Sequence, residues 1–536
     1  YLEAVYLAPE SYDAFKEVDR IYSERGRLDE LERLWLDLTA AHPRSRQAWF
    51  CLGLARERRS LYDPAVAAYE RALALAADVD AGQGTSEALG RVLCAKGKAL
   101  LDGGRAEEAL ACFDRANGVA GALPCAKEAA GRALELLGRL EEAAQAHLEA
   151  IALAPDAHGP YAALDRIHAA RRDPAGAERM WREMTAEHPE RRHAWFWLGV
   201  SLETLGRPDA AVDAYERALQ LSPDGEGGET RAALARALCA WADGVAAENR
   251  LDEALTLYRR ACALDGSISR GRLGEARVLE LQGRLDDAKG GFLAALELDP
   301  ELYDAYAALD RTHAAEGRIG ELEDMWTTMT AAHPERRHAW FCLGLARERG
   351  RKYAEAVRAY EEALRLAPPG QEAPPRAALA RALCAWADHV AAENRLDEAL
   401  TLYRRACALD GSISRGRLGE ARVLELQGRL DDAKGGFLAA LELDPELYDA
   451  YAALDRTHAA EGRIGELEDM WTTMTAAHPE RRHAWFCLGL ARERGRKYAE
   501  AVRAYEEALR LAPPGQEAPP REAINRARRA AEAAGR

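Results

Sequence analysis

Histidines at a fixed spacing are the first residues of this chain that could do chemistry. His333 and His338 lie five residues apart, with Pro334 between them. The same arrangement returns twice, as His188 with His193 and as His478 with His483. Two imidazoles could hold a metal ion if further ligands converged on them. No Cys or carboxylate cluster accompanies the pair, and Pro334 is expected to end a helix between the two histidines. We therefore expect no metal site, and we expect His333 to lie at a helix C-terminus, where histidine is favourable.

Neighbouring carboxylates are the second candidate for chemistry, because a pair of them can act as general acid and base. Asp286 and Asp287 are adjacent, and Glu321 and Glu323 are two residues apart. Both pairs follow turns at the start of a predicted helix, where carboxylates interact favourably with the helix dipole. No phosphate-binding glycine loop and no Ser/His/Asp or Cys/His arrangement can be placed. We expect a chain that is not an enzyme and needs no cofactor.

Composition and charge exclude several classes of partner. The chain has 536 residues and a formal net charge of −16, which argues against binding nucleic-acid phosphates. No apolar stretch is long enough to span a bilayer, and no signal peptide is visible. The ten cysteines are isolated, without a C-x-x-C pair, which favours reduced thiols in a reducing compartment. We expect a cytoplasmic protein with no nucleic-acid partner and no membrane partner.

The sequence repeats with a long period, marked by one tryptophan in each copy: Trp35, Trp181, Trp326 and Trp471. These tryptophans lie 146, 145 and 145 residues apart. Residues 231–376 match residues 376–521 along their length, except that Gly244 becomes His389. Recent duplication, recombination between copies and deliberate construction would each explain such identity. Repetition of this kind predicts an architecture in which each unit packs on its neighbours.

A shorter period of 34 to 39 residues lies inside each long unit. Counted from Arg337 as position one, seven characteristic residues fall at positions 4, 7, 8, 20, 24, 27 and 32: Trp340, Leu343, Gly344, Ala356, Tyr360, Ala363 and Pro368. This pattern resembles the tetratricopeptide repeat, a pair of packed helices. The small residues let the helices approach closely, Tyr360 fills the space between them, and Pro368 ends the second helix. Arg347 departs from the pattern, because position 11 is usually large and apolar.

The resemblance implies an all-α fold, a right-handed α-solenoid (superhelix) of about 14 tetratricopeptide-like helix hairpins. We expect one solenoid over residues 1–536, divided into the second helix of a truncated repeat (1–9), a first super-repeat (11–155), a second (156–300), a third (301–445), a partial fourth (446–513) and a C-terminal capping helix (521–536). Turn-rich loops are predicted where the spacing between pairs grows, at 78–86, 222–230, 367–375 and 512–520.

The resemblance also implies a binding surface, since first helices line a concave groove in tetratricopeptide solenoids. The groove positions of this chain carry a recurring set of side chains: Phe50 and Leu54; His193, Phe196 and Trp197; His338, Phe341, Leu345 and Arg349; and His483, Phe486, Leu490 and Arg494. We expect the phenylalanines to be exposed without a role in the core, and therefore to contact a bound partner. The alternative is that these side chains pack against the adjacent repeat.

The sequence thus favours a non-catalytic scaffold that binds a protein or peptide in the groove. Near-identical copies and the unpaired helix at residues 1–9 suggest the C-terminal interaction or sensor region of a larger bacterial protein. A different hypothesis is a structural filament that self-associates by head-to-tail stacking of repeats, because a contact that does not close into a ring generates fibres.

Overall fold

The structure, a computed structural model, describes residues 3, 5, 12–76, 79–223 and 225–534, apart from the side chains of residues 12, 79–82 and 460. These residues form helices and turns, with no strand among them. The chain divides into two compact units, residues 1–282 and 283–536. The all-α class predicted from the sequence is confirmed.

Twenty-nine helices are present in the described residues. Those of the first unit are α1 (Tyr12–Glu24), α2 (Leu28–Ala41), α3 (Arg46–Arg58), α4 (Tyr62–Ala74), α5 (Val79–Asp102), α6 (Ala106–Ala120), α7 (Pro124–Leu136), α8 (Leu140–Leu153), α9 (His158–Ala170), α10 (Pro174–Glu187), α11 (Arg192–Thr204), α12 (Pro208–Gln220), α13 (Gly228–Ala247), α14 (Leu251–Leu264) and α15 (Ser269–Leu281). Those of the second unit are α16 (Leu285–Leu298), α17 (Tyr303–Ala315), α18 (Ile319–Ala332), α19 (Arg337–Arg349), α20 (Tyr353–Arg365), α21 (Ala373–Ala392), α22 (Leu396–Leu409), α23 (Ser414–Leu426), α24 (Leu430–Leu443), α25 (Tyr448–Ala460), α26 (Ile464–Ala477), α27 (Arg482–Arg494), α28 (Tyr498–Arg510) and α29 (Ala518–Ala534).

Successive helices pack as hairpins, an odd-numbered first helix against the even-numbered second helix that follows it. The first unit holds seven hairpins followed by α15, and the second holds α16, six hairpins and α29. First helices of consecutive hairpins also touch, as α17 touches α19, and each second helix meets the next first helix, as α20 meets α21. Each unit is therefore a stack of hairpins, as the tetratricopeptide resemblance implied.

In one class of hairpin, small residues allow the two helices to approach each other closely. A Cβ atom added to Gly344 would lie 2.6 Å from the ring of Tyr360, which is fully buried on α20. The same contact recurs between Gly53 and Tyr69, Gly199 and Tyr215, and Gly489 and Tyr505. Ala356 and Ala363 are buried on the same face of α20. A larger residue in place of this glycine would have to displace the tyrosine ring.

A second class of hairpin has a tryptophan at position 24 of the pattern, where Tyr360 stands in the first class. Trp326 on α18 is fully buried and stacks on Tyr306 of α17, with ring centroids 5.6 Å apart. Equivalent stacks join Phe15 to Trp35, Tyr161 to Trp181 and Tyr451 to Trp471. Trp326 therefore fills the space between the two helices of its hairpin, as the buried Tyr360 does in the first class.

Three of the predicted loops agree with the structure in part, because helices begin again at Gly228, Ala373 and Ala518 within them. The loop predicted at 78–86 is wrong, since α5 begins at Val79. Residues of α5 from Ala88 onward are buried, and a helix held by such packing can extend towards its N-terminus by one hydrogen bond for each added residue. The truncated helix predicted at residues 1–9 lies outside the described residues, apart from Glu3 and Val5. The super-repeat boundaries stay predictions.

None of the described helices combines the length and the apolar character that a bilayer-spanning segment requires.

Candidate functional site

A cleft of about 610 Å³ lies beside α19 in the second unit. Its lining comes from α19, from the residues that begin α17, and from the end of α20 with the loop into α21. The side chains are Arg337, His338 and Phe341; Glu301 and Tyr303; and Ala363, Ala367, Gly370, Gln371, Pro374 and Pro375. We call this the His338 cleft. Two of the predicted site residues, His338 and Phe341, therefore lie side by side in it.

The turn-rich segment after α20 forms one wall of the His338 cleft. Gly370 has φ of 87°, a left-handed conformation that favours glycine. The amide of Gln371 donates a hydrogen bond to the carbonyl of Pro368 over 3.0 Å, which closes the turn. Pro374 and Pro375 then enter the first turn of α21, where the missing N–H would have had no helical partner. The wall is thus built from a rigid, apolar turn.

The floor of the cleft is Phe341, whose side chain is half-buried. Its ring centroid lies 5.6 Å from that of Tyr360, on the second helix of the same hairpin. The counterpart Phe196 is buried and contacts Tyr215 at the same distance of 5.6 Å. The expectation that these phenylalanines have no role in the core is therefore corrected. Each ring packs against the core on one side and faces a cleft on the other.

The rim of the cleft carries a guanidinium and an imidazole. Arg337 Nη2 lies 3.1 Å from Glu301 Oε2, but the Glu301 side chain is 62% exposed, so the ion pair is weak. His338 lies between the rings of Tyr303 and Tyr306, with centroids 5.4 and 5.6 Å away. Burial and the neighbouring Arg337 lower the pKa of His338 below its ordinary 6.5. At neutral pH the rim therefore presents one permanent positive charge beside a neutral imidazole.

The same cleft forms at two other places in the chain. The His483 cleft, of about 350 Å³ in the second unit, is lined by the counterparts of the His338 residues, among them Tyr448, Arg482, His483, Phe486, Pro519 and Pro520. The His193 cleft, of about 170 Å³ in the first unit, is lined among others by His158, Arg192, His193, Phe196, Glu226 and Thr230. Each cleft joins Arg-His-x-x-Phe of a first helix to the loop after the following helix. In each of the three copies, the predicted His and Phe residues line the same cleft.

The His193 cleft differs from the other two in its side chains. His158 occupies the place of Tyr303 in its lining. The predicted site residue Trp197, at the position of Cys342, does not line the cleft. The rings of His158 and Trp197 are 6.0 Å apart, and the Trp197 Nε1 donor has no hydrogen-bond partner. Arg192 pairs with Glu226 of the loop wall. This cleft is smaller and more polar than its two counterparts.

In the first super-repeat, Phe50 is half-buried and its ring lies 5.6 Å from Tyr69. The side chains of residues 77–82 lie outside the described residues.

The remaining predicted site residues lie further along the first helices and line none of the three clefts. Leu54, Leu345 and Leu490 are half-buried, and Leu345 packs against the core. Arg349 Nη2 is 2.7 Å from Asp310 Oδ2, and Arg494 makes the same ion pair with Asp455 at 2.6 Å. Each aspartate side chain is only 10% exposed, so each arginine neutralises a buried carboxylate. The structure gives these arginines a role in joining consecutive first helices.

Sequence reasoning missed Arg337, Tyr303 and the proline wall of the cleft. One signal was available, because an arginine precedes the histidine in each of the three copies: Arg192, Arg337 and Arg482. The position of the proline wall could not be predicted in this way, because the loop sequence has no periodicity that indicates which helix it packs against.

The two histidines of each pair have separate positions. His333 ends α18 as its C-cap, and its amide donates to the Met329 carbonyl over 2.8 Å, as predicted for a helix terminus. His338 lies in the cleft on the following helix. Among the described residues, no group of three or more His, Cys, Asp or Glu side chains is arranged to hold a metal ion.

Comparison with known proteins shows where this pattern of helices occurs. Sequence profiles described as tetratricopeptide repeat match seven segments of the chain: 20–80, 94–158, 166–226, 239–303, 338–369, 384–448 and 483–514. Protein O-mannosyl-transferase TMTC1 of Homo sapiens is 26% identical over 190 residues, which are 35% of this chain and 21% of that protein. The chain thus spans about a fifth of the length of this relative. A solved structure of Naa15/Naa10 bound to HypK-THB is 18% identical, covering 91% of this chain and 79% of that one, with a TM-score of 0.34.

Proposed function

Because the chain belongs to the tetratricopeptide repeat family, we propose that it is a non-catalytic scaffold that binds extended peptide segments of a protein partner. The binding sites are the His193, His338 and His483 clefts. One observation carries this proposal: at three places, an Arg, a His and a Phe of a first helix meet the loop that follows the next helix. Packing of the hydrophobic core explains the phenylalanine and the tyrosine that it contacts. It does not explain the open cleft beside them.

The lining of the cleft indicates which peptides it accepts. Phe341, Tyr303 and the prolines form apolar walls, which suit an aromatic or aliphatic side chain of the peptide. Arg337 stands at the rim, held by a weak ion pair with the exposed Glu301. A peptide carboxylate can replace Glu301 there without leaving a buried charge unpaired. The preferred ligand is therefore an apolar anchor residue with an Asp or Glu close to it.

A selection from a phage-displayed library of short linear peptides tests this proposal. Purified full-length chain serves as bait, and enriched peptides are then titrated into the chain by fluorescence anisotropy. We expect peptides with an apolar residue next to a carboxylate. We expect the combined variant Phe341→Asp and Phe486→Asp to lose most of their binding, because a charge on the floor excludes an apolar anchor.

A matched control is the same substitution at Leu426, which is 68% exposed near the end of α23 and lines none of the three clefts. Leu426→Asp should bind the peptides as the unmodified chain does. Circular dichroism at equal concentration confirms that the cleft variant keeps its helices. Equal binding by the folded cleft variant and the unmodified chain would refute the proposal.

Head-to-tail stacking is the alternative, and the surface of α29 disfavours it. Leu383, Cys384 and Ala387 are buried on α21. At the matching positions α29 carries Arg528, Arg529 and Glu532, which are exposed. A helix docked on this face would have to remove Arg529 and Glu532 from water, together with the exposed ion pair between Arg528 and Glu506. The peptide-binding scaffold therefore ranks above the filament.

A further inference from the structure

The methionines of this chain all belong to one recurring motif. The sequence has six methionines, and they occur only as M-x-x-x-M-x-x-x-H: Met180, Met184 and His188; Met325, Met329 and His333; Met470, Met474 and His478. A spacing of four residues places side chains about one turn apart on the same helix face. The first super-repeat has Leu34, Leu38 and His42 in these places. Leucine can therefore fill the methionine positions, so packing alone does not require methionine there.

In the last copy, the structure brings the three side chains of the motif to one pocket. Met470, Met474 and His478 line a pocket of about 450 Å³ beside α26, together with Leu438 of α24. Both methionine side chains are half-buried, so each thioether is packed on one side and accessible on the other. This pocket lies on second helices and shares no lining residue with the His483 cleft.

The imidazole of the motif lies near a carboxylate two residues further on. Nδ1 of His478 lies 3.5 Å from Glu480 Oε1, and Nδ1 of His333 lies 3.4 Å from Glu335 Oε1. His188 makes the same contact with Glu190 at 3.3 Å. An imidazole that turns Nδ1 towards a carboxylate leaves Nε2 on the other side of the ring, where it can act as a ligand. Carboxylate–histidine pairs of this kind orient metal-binding histidines.

Two thioethers are soft ligands and an imidazole is a borderline one, a set that favours a soft monovalent cation over hard divalent ions. The pocket is also lined by the carboxylates of Glu442 and Asp469 and by the guanidinium of Arg481. These three side chains have a net charge of −1, which favours the binding of a cation. We infer that Met470, Met474 and His478 form a binding site for a soft monovalent cation of the Cu(I) class, repeated at Met325, Met329 and His333.

The experiment uses Ag⁺ as a probe that is stable in air, added to the full-length chain labelled with ¹³C in the methionine methyl groups. Because all six methionines lie in the three motifs, every methyl signal reports on a candidate site. The titration continues beyond the ten equivalents that the cysteine thiols could take up. We expect the methyl signals of Met470 and Met474 to move together as Ag⁺ binds.

Two variants establish which atoms take part. Met474→Leu copies the first super-repeat, so it should keep the fold and abolish the shift of the Met470 signal. His478→Ala should weaken Ag⁺ binding at this motif by about 10-fold or more. The matched control, Met329→Leu, should leave the Met470 and Met474 shifts intact. The inference fails if the methionine signals stay in place throughout the titration, or if His478→Ala leaves the shifts of Met470 and Met474 unchanged.

Discussion

Gly344→Ala tests the close packing on which the first class of hairpin depends. The added methyl carbon would lie 2.6 Å from a ring atom of Tyr360 on α20. The ring has no room to move, because it is fully buried and its hydroxyl donates to Glu348 over 2.8 Å. Gly290→Ala is the matched control, since its Cβ would meet nothing within 4 Å. The two substitutions have the same helix propensity and opposite steric surroundings.

The two effects of Gly344→Ala have opposite signs. Replacing glycine by alanine inside a helix stabilises it by roughly 0.5–1 kcal/mol. Forcing a methyl group into a well-packed core destabilises by about 1–3 kcal/mol. We therefore expect a net loss of about 1 kcal/mol for Gly344→Ala, equivalent to roughly a 5-fold change in the local opening equilibrium. Gly290→Ala has only the first effect and should stabilise α16.

Amide hydrogen exchange measured by mass spectrometry is the assay, and the repeat supplies an internal reference. Residues 337–376 and 482–521 have the same sequence, so their peptides coincide in the unmodified chain. In the Gly344→Ala variant, the peptide from α19 and α20 becomes heavier by one methylene group and separates from its twin. We expect it to exchange roughly 5-fold faster than the twin in the same molecule. Equal or slower exchange would refute the steric argument.

Three further outcomes follow from the packing and the charges. Trp326→Ala should destabilise the chain by about 3–5 kcal/mol, because the side chain is fully buried. Urea denaturation followed by circular dichroism measures this loss, and a transition at the same urea concentration as in the unmodified chain would contradict it. Arg349→Ala should lower the free energy of unfolding by about 1–3 kcal/mol in the same assay, because Asp310 loses its partner. The double variant with Asp310→Ala should recover part of that loss. Burial and Arg337 lower the pKa of His338 in the folded chain. As the pH drops below 6.5, the unfolded chain therefore binds a proton more readily than the folded chain does, and the free energy of unfolding falls. NMR titration should give a midpoint below 6.5 for His338 and a higher one after Arg337→Gln, and a midpoint at or above 6.5 in the unmodified chain would contradict this.

The sequence predicts much of the fold because hairpins are local. Gly344 and Tyr360 are 16 residues apart, and their types suffice to indicate that two helices meet there. Tyr306 and Trp326, which are 20 residues apart, indicate the helix contact of the second class of hairpin in the same way. Helix starts were harder to predict, since α5 runs through a segment whose glycine and polar residues indicated a loop.

The clefts could be predicted only in part. His338 and Phe341 are one turn apart on a single helix, so their common position follows from spacing alone. Arg349 was assigned to the same surface, because nothing local shows that Asp310, 39 residues earlier, neutralises it. The wall formed by Pro374 and Pro375 depends on how a turn folds back over α19, and hydrophobic periodicity carries no information about that path.

Isothermal titration calorimetry with one selected peptide tests the central claim most directly. The His338 and His483 clefts have the same lining residue types, so the account predicts that both bind the peptide with similar affinity. Phe341→Asp should then remove one bound peptide per chain, Phe486→Asp should remove one, and the combined variant should remove both. A stoichiometry that stays the same in all three folded variants would contradict the claim that these clefts are the binding sites.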